Sequence, residues 1–127
     1  MRVMKVLIIE DNYVVAAHLA AALEDDGFKV IGPVDTAESA VSRIDEEALD
    51  GALLDVRLRE GNAVDVASAL RGHGVPFVIV SGYSRDTLPS ELKDAPYIGK
   101  PMGLSELIQT APKYVQSISP ALSGSAI

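Results

Sequence analysis

A chain of 127 residues with 18 acidic and 11 basic side chains carries a net charge of −7. That length suits one domain with a buried core, and the acidic balance argues against nonspecific nucleic-acid binding, which depends on lysine and arginine. No apolar run approaches the roughly 20 residues of a membrane-spanning helix, and Met1–Ile9 has too short an apolar stretch for a secretory signal. We therefore expect a cytoplasmic protein without nucleic-acid or membrane partners, and the absence of cysteine fits that compartment.

Short apolar runs alternate with longer amphipathic stretches, which is the pattern of repeated β–α units. The runs predicted as strands are Val6–Ile9, Phe28–Val34, Ala52–Leu54, Pro76–Val80 and Pro96–Gly99. The stretches predicted as helices lie between Asn12 and Gly27, over Ala37–Glu47, between Asn62 and Gly72, and over Gly103–Gln116. A further helix over Ser84–Lys93 is disfavoured, because Pro89 would interrupt it.

Five strands with intervening helices predict an open parallel α/β sheet with helices on both faces, since crossover connections are right-handed. The expected strand order is 2-1-3-4-5, the flavodoxin-like arrangement, and Pro33 with Asp35-Thr36 is expected to close the second strand. Residues 1–116 then form the domain, and the Ser/Pro/Gly-containing residues 117–127 form a flexible tail. In such sheets ligands bind beyond the carboxyl ends of the strands, near the switch in strand order.

Polar side chains fall at the carboxyl ends of the predicted strands. Glu10 and Asp11 follow the first strand, Asp55 ends the third, Ser81 ends the fourth and Lys100 follows the fifth. Parallel strands would bring these groups together in one shallow cleft. Two carboxylates about 4 Å apart repel by roughly 4 kcal/mol at an effective dielectric constant of 20, so a cation or Lys100 must compensate. The oxygen donors favour a hard ion such as Mg²⁺.

This set of groups is suited to receiving a phosphoryl group. A carboxylate is already ionised at neutral pH and can act as a nucleophile, so we expect Asp55 to form an aspartyl-phosphate. The three oxygens of the transferred group must be positioned and neutralised. We expect the metal, Lys100, and Ser81 with nearby backbone N–H groups to share that role.

Five motifs occur in order on the predicted strand ends. They are Glu10-Asp11 after Val6-Leu7-Ile8-Ile9, the strand Leu53-Leu54-Asp55, the segment Val80-Ser81-Gly82, Tyr97, and Lys100-Pro101. Together they resemble the response-regulator receiver domains of two-component signalling, over roughly residues 4 to 116. The run from Pro76 to Tyr83 is also similar to the Phe-Ala-Thr-Gly-x-Tyr signature of a stand-alone receiver subgroup, although only Ser81-Gly82 matches it clearly.

The resemblance implies a metal site. Glu10, Asp11 and Asp55 would hold Mg²⁺, with the backbone carbonyl of Arg57 as a further ligand. The loop that carries this carbonyl, residues 56–61, is shorter than usual in the family and lacks the proline that is common there.

The resemblance also implies the catalytic and switch residues. Asp55, Ser81 and Lys100 would act in phosphoryl transfer, and Ser81 and Tyr97 would respond to it. The alternative for Tyr97 is an ordinary half-buried core aromatic. The family pattern further implies a cis bond between Lys100 and Pro101.

By the same resemblance, a histidine kinase or histidine phosphotransfer protein would be the donor. Output would be a phosphorylation-dependent contact of the surface around Ser84–Lys93 and Tyr97–Lys113 with a downstream protein. One alternative is a receiver-like interaction module that is not phosphorylated, although the presence of both Asp55 and Lys100 argues against it. A metal-dependent nuclease or phosphatase is a third possibility, but it needs a second acid at the position of Arg57, so no turnover enzyme is expected.

Overall fold

A five-stranded parallel sheet lies at the centre of the fold. The structure, a computed structural model, describes residues 3–82 and 84–99. Its strands are β1 (Lys5–Ile9), β2 (Lys29–Val34), β3 (Gly51–Asp55), β4 (Phe77–Ser81) and β5 (Tyr97–Gly99). They are ordered β2-β1-β3-β4-β5, which confirms the predicted flavodoxin-like α/β fold.

Three α-helices connect the strands within the described residues. They are α1 (Tyr13–Asp25), α2 (Ala37–Glu46) and α3 (Ala63–Gly72). The side chains of Asn12, Thr36 and Asn62 accept hydrogen bonds from the first turns of these helices, and such a cap stabilises a helix by about 1 kcal/mol. The predicted helix Gly103–Gln116, the domain limit at residue 116 and the tail 117–127 lie outside the described residues. Over residues 3–82 and 84–99, no helix has the length and apolarity to cross a membrane.

Side chains alternate between the two faces of the sheet, so the strands contribute to two separate cores. The core shared with α2 and α3 includes Leu7, Ile9, Leu54 and Ile79. The core shared with α1 includes Val6, Ile8, Leu53 and Val78. Burial on both faces explains why these strands are continuous apolar runs in the sequence. Polar side chains are therefore confined to the strand ends.

Pro33 lies inside β2, one residue before its end, and β2 ends at Val34, directly before Asp35-Thr36, as predicted. β2 is an edge strand, where a residue without an N–H group is tolerated. Its pairing with β1 becomes irregular between Leu7 and Ile9, and the Gly32–Pro33 bond is cis. The cis bond that the family pattern implies at Lys100–Pro101 lies outside the described residues.

Residues 84–96, here called the 3₁₀ segment, connect β4 to β5. They form two short 3₁₀ turns, Arg85–Thr87 and Ser90–Leu92, separated by Leu88 and Pro89. The interruption predicted from Pro89 is thus confirmed. Leu88 and Leu92 are buried in the core shared with α2 and α3, and they anchor the 3₁₀ segment to the sheet.

The loop over residues 56–62, which follows β3, lies against the loop that precedes α2. The Arg59 N–H donates to the Asp35 carbonyl oxygen at 2.8 Å. The Ala37 N–H donates to the Glu60 carbonyl oxygen at 2.9 Å. Two backbone hydrogen bonds therefore join the start of α2 to the residues that follow Asp55.

Substitution of Gly61 should test this contact between the loops. Gly61 has a φ of +83°, and a Cβ added there would overlap the Cβ of Ala37. We expect Gly61→Ala to lower the free energy of unfolding by roughly 1–2 kcal/mol for the backbone conformation, and by a further cost of about 1–3 kcal/mol for overpacking. Urea denaturation followed by circular dichroism measures the loss.

Gly27→Ala is the matched control. Gly27 has a φ of +93°, but an added Cβ there would meet nothing within 4 Å. This variant should show the backbone cost without the steric one. Equal losses in the two variants would contradict a close contact between Gly61 and α2.

Candidate functional site

Three carboxylates meet at the carboxyl edge of the sheet. One oxygen each from Glu10, Asp11 and Asp55 lies within 4.8 Å of the other two. The parallel register brings Glu10 and Asp55 together, because Ile9 pairs with Leu54 and each of these two residues is followed by an acid. Glu10 is 4% exposed and Asp55 is 2% exposed, whereas Asp11 is exposed. The cluster thus has two buried members and one that faces solvent.

Backbone N–H groups orient the two buried acids. The Asn12 N–H donates to Glu10 Oε2 at 3.0 Å, and the Asn12 side chain caps α1. The Arg57 N–H donates to Asp55 Oδ1 at 3.1 Å, while the Arg57 side chain is exposed. The start of α1 therefore positions Glu10, and the loop after β3 positions Asp55.

The electrostatics of the cluster favour a bound cation. Each pair of carboxylates about 4 Å apart repels by roughly 4 kcal/mol at an effective dielectric constant of 20. The side-chain donors are all oxygen atoms, which fits a hard divalent ion. Mg²⁺ commonly takes one or two protein carboxylates and completes its octahedron with water and phosphate oxygens. The residues present fit that ion.

Ser81 lies on the same edge of the sheet. It ends β4 and is fully buried. Asp55 on β3 pairs with Val80 on β4, and Ser81 is the next residue along β4. Ser81 itself pairs with Gly99. Lys100 follows Gly99 in the sequence and lies outside the described residues.

An ion pair beside this cluster has no counterpart among the sequence predictions. Arg59 Nε lies 2.9 Å from Asp35 Oδ2, and Arg59 Nη2 lies 3.5 Å from Asp35 Oδ1. The hydrogen bond from Arg59 to Asp35, and then the attraction between their charges, raise the pKa of the Arg59 guanidinium above its ordinary value. Thr36 and Glu60 form a β-bridge between the same two loops. These contacts hold the loop after β3, which lacks a proline. No short-range pattern in the sequence predicts them.

Tyr97 is half-buried at the start of β5. It contacts the core shared with α2 and α3, and the Arg85 guanidinium lies 5.1 Å from the centroid of its ring. The structure thus agrees with a half-buried core aromatic, and the switch role of Tyr97 stays a prediction.

Two arginines bind carbonyl groups of the 3₁₀ segment. Arg85 Nη1 donates to the carbonyl oxygens of Lys93 and Ala95, at 2.7 and 3.0 Å. Arg71 Nη2, from α3, donates to the carbonyl oxygen of Glu91 at 2.8 Å. A segment without an α-helix must find other partners for its backbone carbonyls, and these guanidinium groups supply three of them.

The fold and the acidic cluster define an α/β domain with three carboxylates at one edge of its sheet, and comparison with known proteins gives its family. The response regulator receiver domain family matches residues 6–111. This chain therefore belongs to the response regulator receiver domain family of two-component signalling. In that family an acidic cluster such as Glu10, Asp11 and Asp55 is typical of the Mg²⁺ site.

The curated relatives include the transcriptional regulatory protein PdtaR of Mycobacterium tuberculosis. It is 28% identical over 108 residues, which cover 82% of this chain and 53% of PdtaR. The response regulator GacA of Pseudomonas syringae pv. syringae is 31% identical over 111 residues, covering 83% of this chain and 52% of GacA. This chain spans about half the length of these curated relatives.

Among solved structures, SdrG from Sphingomonas melonis Fr1 has a TM-score of 0.72 and 33% identity, covering 87% of this chain and 96% of SdrG. The BeF3-activated conformation of SdrG from Pseudomonas melonis Fr1 has a TM-score of 0.69 and 32% identity, covering 91% of this chain and 99% of that chain. The response regulator domain of Thermotoga maritima CheB has a TM-score of 0.79 but 17% identity, covering 92% and 96%, and supports the fold alone.

Replacement of Arg85 should loosen the 3₁₀ segment. We expect Arg85→Gln to remove the ring contact and the bonds to Lys93 and Ala95, and to cost about 1 kcal/mol of stability. Amide hydrogen exchange should become faster across residues 84–96. Lys93→Gln is the control, since it removes one exposed positive charge from the same segment and leaves the backbone carbonyl in place. The same exchange rates in both variants would contradict a clamping role for Arg85.

Proposed function

We propose that this chain is a single-domain response regulator that accepts a phosphoryl group on Asp55 and signals through phosphorylation-dependent protein contacts. The donor would be a histidine kinase or a histidine phosphotransfer protein. The observation that carries the proposal is the meeting of Glu10, Asp11 and Asp55 at the carboxyl edge of a receiver fold. The similarity to SdrG, at 33% identity over 87% of this chain, supports a receiver function.

Asp55 is the proposed nucleophile. One of its carboxylate oxygens forms a bond to phosphorus while the P–N bond of the donor phosphohistidine breaks. The bonding electrons return to the imidazole nitrogen, which takes up a proton. Asp55 needs no general base, because a carboxylate is ionised at neutral pH. The hydrogen bond from the Arg57 N–H to Oδ1 orients the carboxylate for this attack.

Glu10, Asp11 and Asp55, with the backbone carbonyl of Arg57, are the proposed ligands of Mg²⁺. Bound there, the ion would offset the negative charge of the acids and of the phosphoryl oxygens. The buried pair, Glu10 and Asp55, is held by backbone N–H groups. Asp11 is exposed, so an ion can exchange with solvent on that side.

Ser81 and Lys100 are proposed to bind phosphoryl oxygens. The Ser81 hydroxyl ends β4 beside the strand that carries Asp55, and a hydroxyl can donate a hydrogen bond to a phosphoryl oxygen. Lys100 would supply a full positive charge. Such positioning and charge balance, rather than turnover chemistry, make the chain a phospho-acceptor whose phosphoryl group is lost slowly by self-hydrolysis.

The proposed output surface is the surface around Ser84–Lys93 and Tyr97–Lys113, of which the structure describes the 3₁₀ segment and Tyr97–Gly99. Tyr97 pairs with Ile79, two residues before Ser81, and its ring contacts Arg85. A movement of Ser81 toward a phosphoryl group would therefore shift Tyr97. The contact between Tyr97 and Arg85 would then change the conformation of the 3₁₀ segment. A downstream protein would read that change.

Phosphorylation is tested with acetyl phosphate and Mg²⁺ by mass spectrometry of the intact protein. We expect the unmutated protein to gain the mass of one phosphoryl group, and to gain none when EDTA removes the metal. Asp55→Asn should gain none, because an amide does not replace the carboxylate nucleophile. Asp86→Asn, at an exposed acid of the 3₁₀ segment, is the control and should react normally. No mass gain in the unmutated protein would contradict the proposal and favour an interaction module that is not phosphorylated.

Ser81→Ala tests the switch. Beryllofluoride with Mg²⁺ serves as a phosphoryl analogue, as the solved SdrG conformation suggests. We expect the NMR resonances of the Tyr97 ring to shift when the analogue is added to the unmutated protein. The shift should be much smaller in Ser81→Ala, because the hydroxyl that links the analogue to Tyr97 is missing. Ser84→Ala removes an exposed hydroxyl nearby and should behave as the unmutated protein. An equal shift in Ser81→Ala would show that Tyr97 responds by another route.

A further inference from the structure

The Arg57 peptide lies between two anchored amides. The Arg57 N–H is bound to Asp55 Oδ1 at 3.1 Å. The Arg59 N–H is bound to the Asp35 carbonyl oxygen at 2.8 Å. Only Leu58 separates the two anchored residues, and its side chain is half-buried against the core shared with α2 and α3. With successive Cα atoms about 3.8 Å apart, this stretch has little freedom to move.

The anchor at Arg59 is reinforced by its side chain. The guanidinium group reaches Asp35 through Nε at 2.9 Å, and so binds the residue whose carbonyl oxygen already accepts from the Arg59 backbone. Asp35 also lines the small cavity that Glu10 and Asp11 line. The ion pair is therefore a neighbour of the acidic cluster.

We propose that Arg59 and Asp35 are positioning residues of the metal site. Their ion pair holds the loop after β3 so that the Arg57 peptide, whose carbonyl is a proposed ligand, keeps one position relative to Asp55. This inference rests on the proposed Mg²⁺-dependent function. It gives an ion pair the task of holding a loop whose residues 56–61 contain no proline.

The sign of the change in metal affinity separates positioning from simple electrostatics. Arg59 neutralises Asp35, which lines the same cavity as Glu10 and Asp11, so its removal by itself would strengthen the attraction of the site for a cation. Loss of positioning would weaken binding, because the ligand carbonyl would then have to be ordered on binding. A weaker site in Arg59→Gln is therefore explained by positioning and not by charge.

The experiment is a calorimetric titration of the metal-free protein with Mg²⁺. We expect Arg59→Gln to raise the dissociation constant about threefold to tenfold, at or below the lower end of the effect of outer-shell residues, since this pair is partly exposed. Arg59→Lys keeps the charge without the planar set of donors and should give a smaller rise. Arg43→Gln is the control: it removes the same charge and breaks another partly exposed ion pair, with Glu47. It should leave the affinity unchanged or slightly higher.

A second readout needs no metal. Amide hydrogen exchange of residues 57–60 in the metal-free protein should become faster in Arg59→Gln and not in Arg43→Gln. The charge-swapped double variant, Asp35→Arg with Arg59→Asp, should recover part of both the protection and the Mg²⁺ affinity. Such rescue would not follow if either residue acted alone.

The outcomes separate this inference from the proposed function. If the unmutated protein binds Mg²⁺ and Arg59→Gln binds it equally or more tightly, the positioning role is wrong and the proposed function stands. Faster exchange with an unchanged dissociation constant would also contradict the positioning role, because the ion pair would then stabilise the loop without affecting Mg²⁺ binding. If the unmutated protein does not bind Mg²⁺, both proposals fail.

Discussion

The pairing of β1 with β3 determines where the acidic groups can lie. Ile9 on β1 pairs with Leu54 on β3, so the two strands end side by side and bring Glu10 and Asp55 together. Both acids are buried there. Apolar side chains on both faces hold that register, each contributing roughly 1.5–3 kcal/mol when fully buried. A slip of one residue would turn every side chain to the opposite face. The two cores therefore fix the register, and the register keeps like charges close together in spite of their repulsion.

Around this rigid edge, irregular segments are held by arginine side chains. Arg59 joins the loop after β3 to the loop before α2. Arg71 and Arg85 bind the carbonyl groups of the 3₁₀ segment. Arginine suits this role because its planar group offers five N–H donors, which can bind several carbonyl oxygens and stack on a ring at once. The segments next to the site thus depend on single side chains more than the strands do.

Much of this arrangement is predictable from the sequence. Apolar runs give the strands, and the rule for parallel sheets then places Glu10 and Asp55 on one edge. The predicted strand Phe28–Val34 contains Pro33, and the predicted strand order places that strand at the edge of the sheet, where a proline is tolerated. The pair of Asp35 and Arg59 is separated by 24 residues and lies in two exposed loops, where many pairings of opposite charge are equally plausible from sequence. Contacts between loops require the tertiary structure.

The close approach of Gly61 to Ala37 links two positions that are far apart in the chain. A side chain larger than that of alanine at residue 37 would push the loop outward, and the β-bridge between Thr36 and Glu60 would be lost with it. Natural variants of this domain should therefore change the two positions together, or keep both small. An alignment of close homologues would reveal this constraint as covariation between residues 37 and 61.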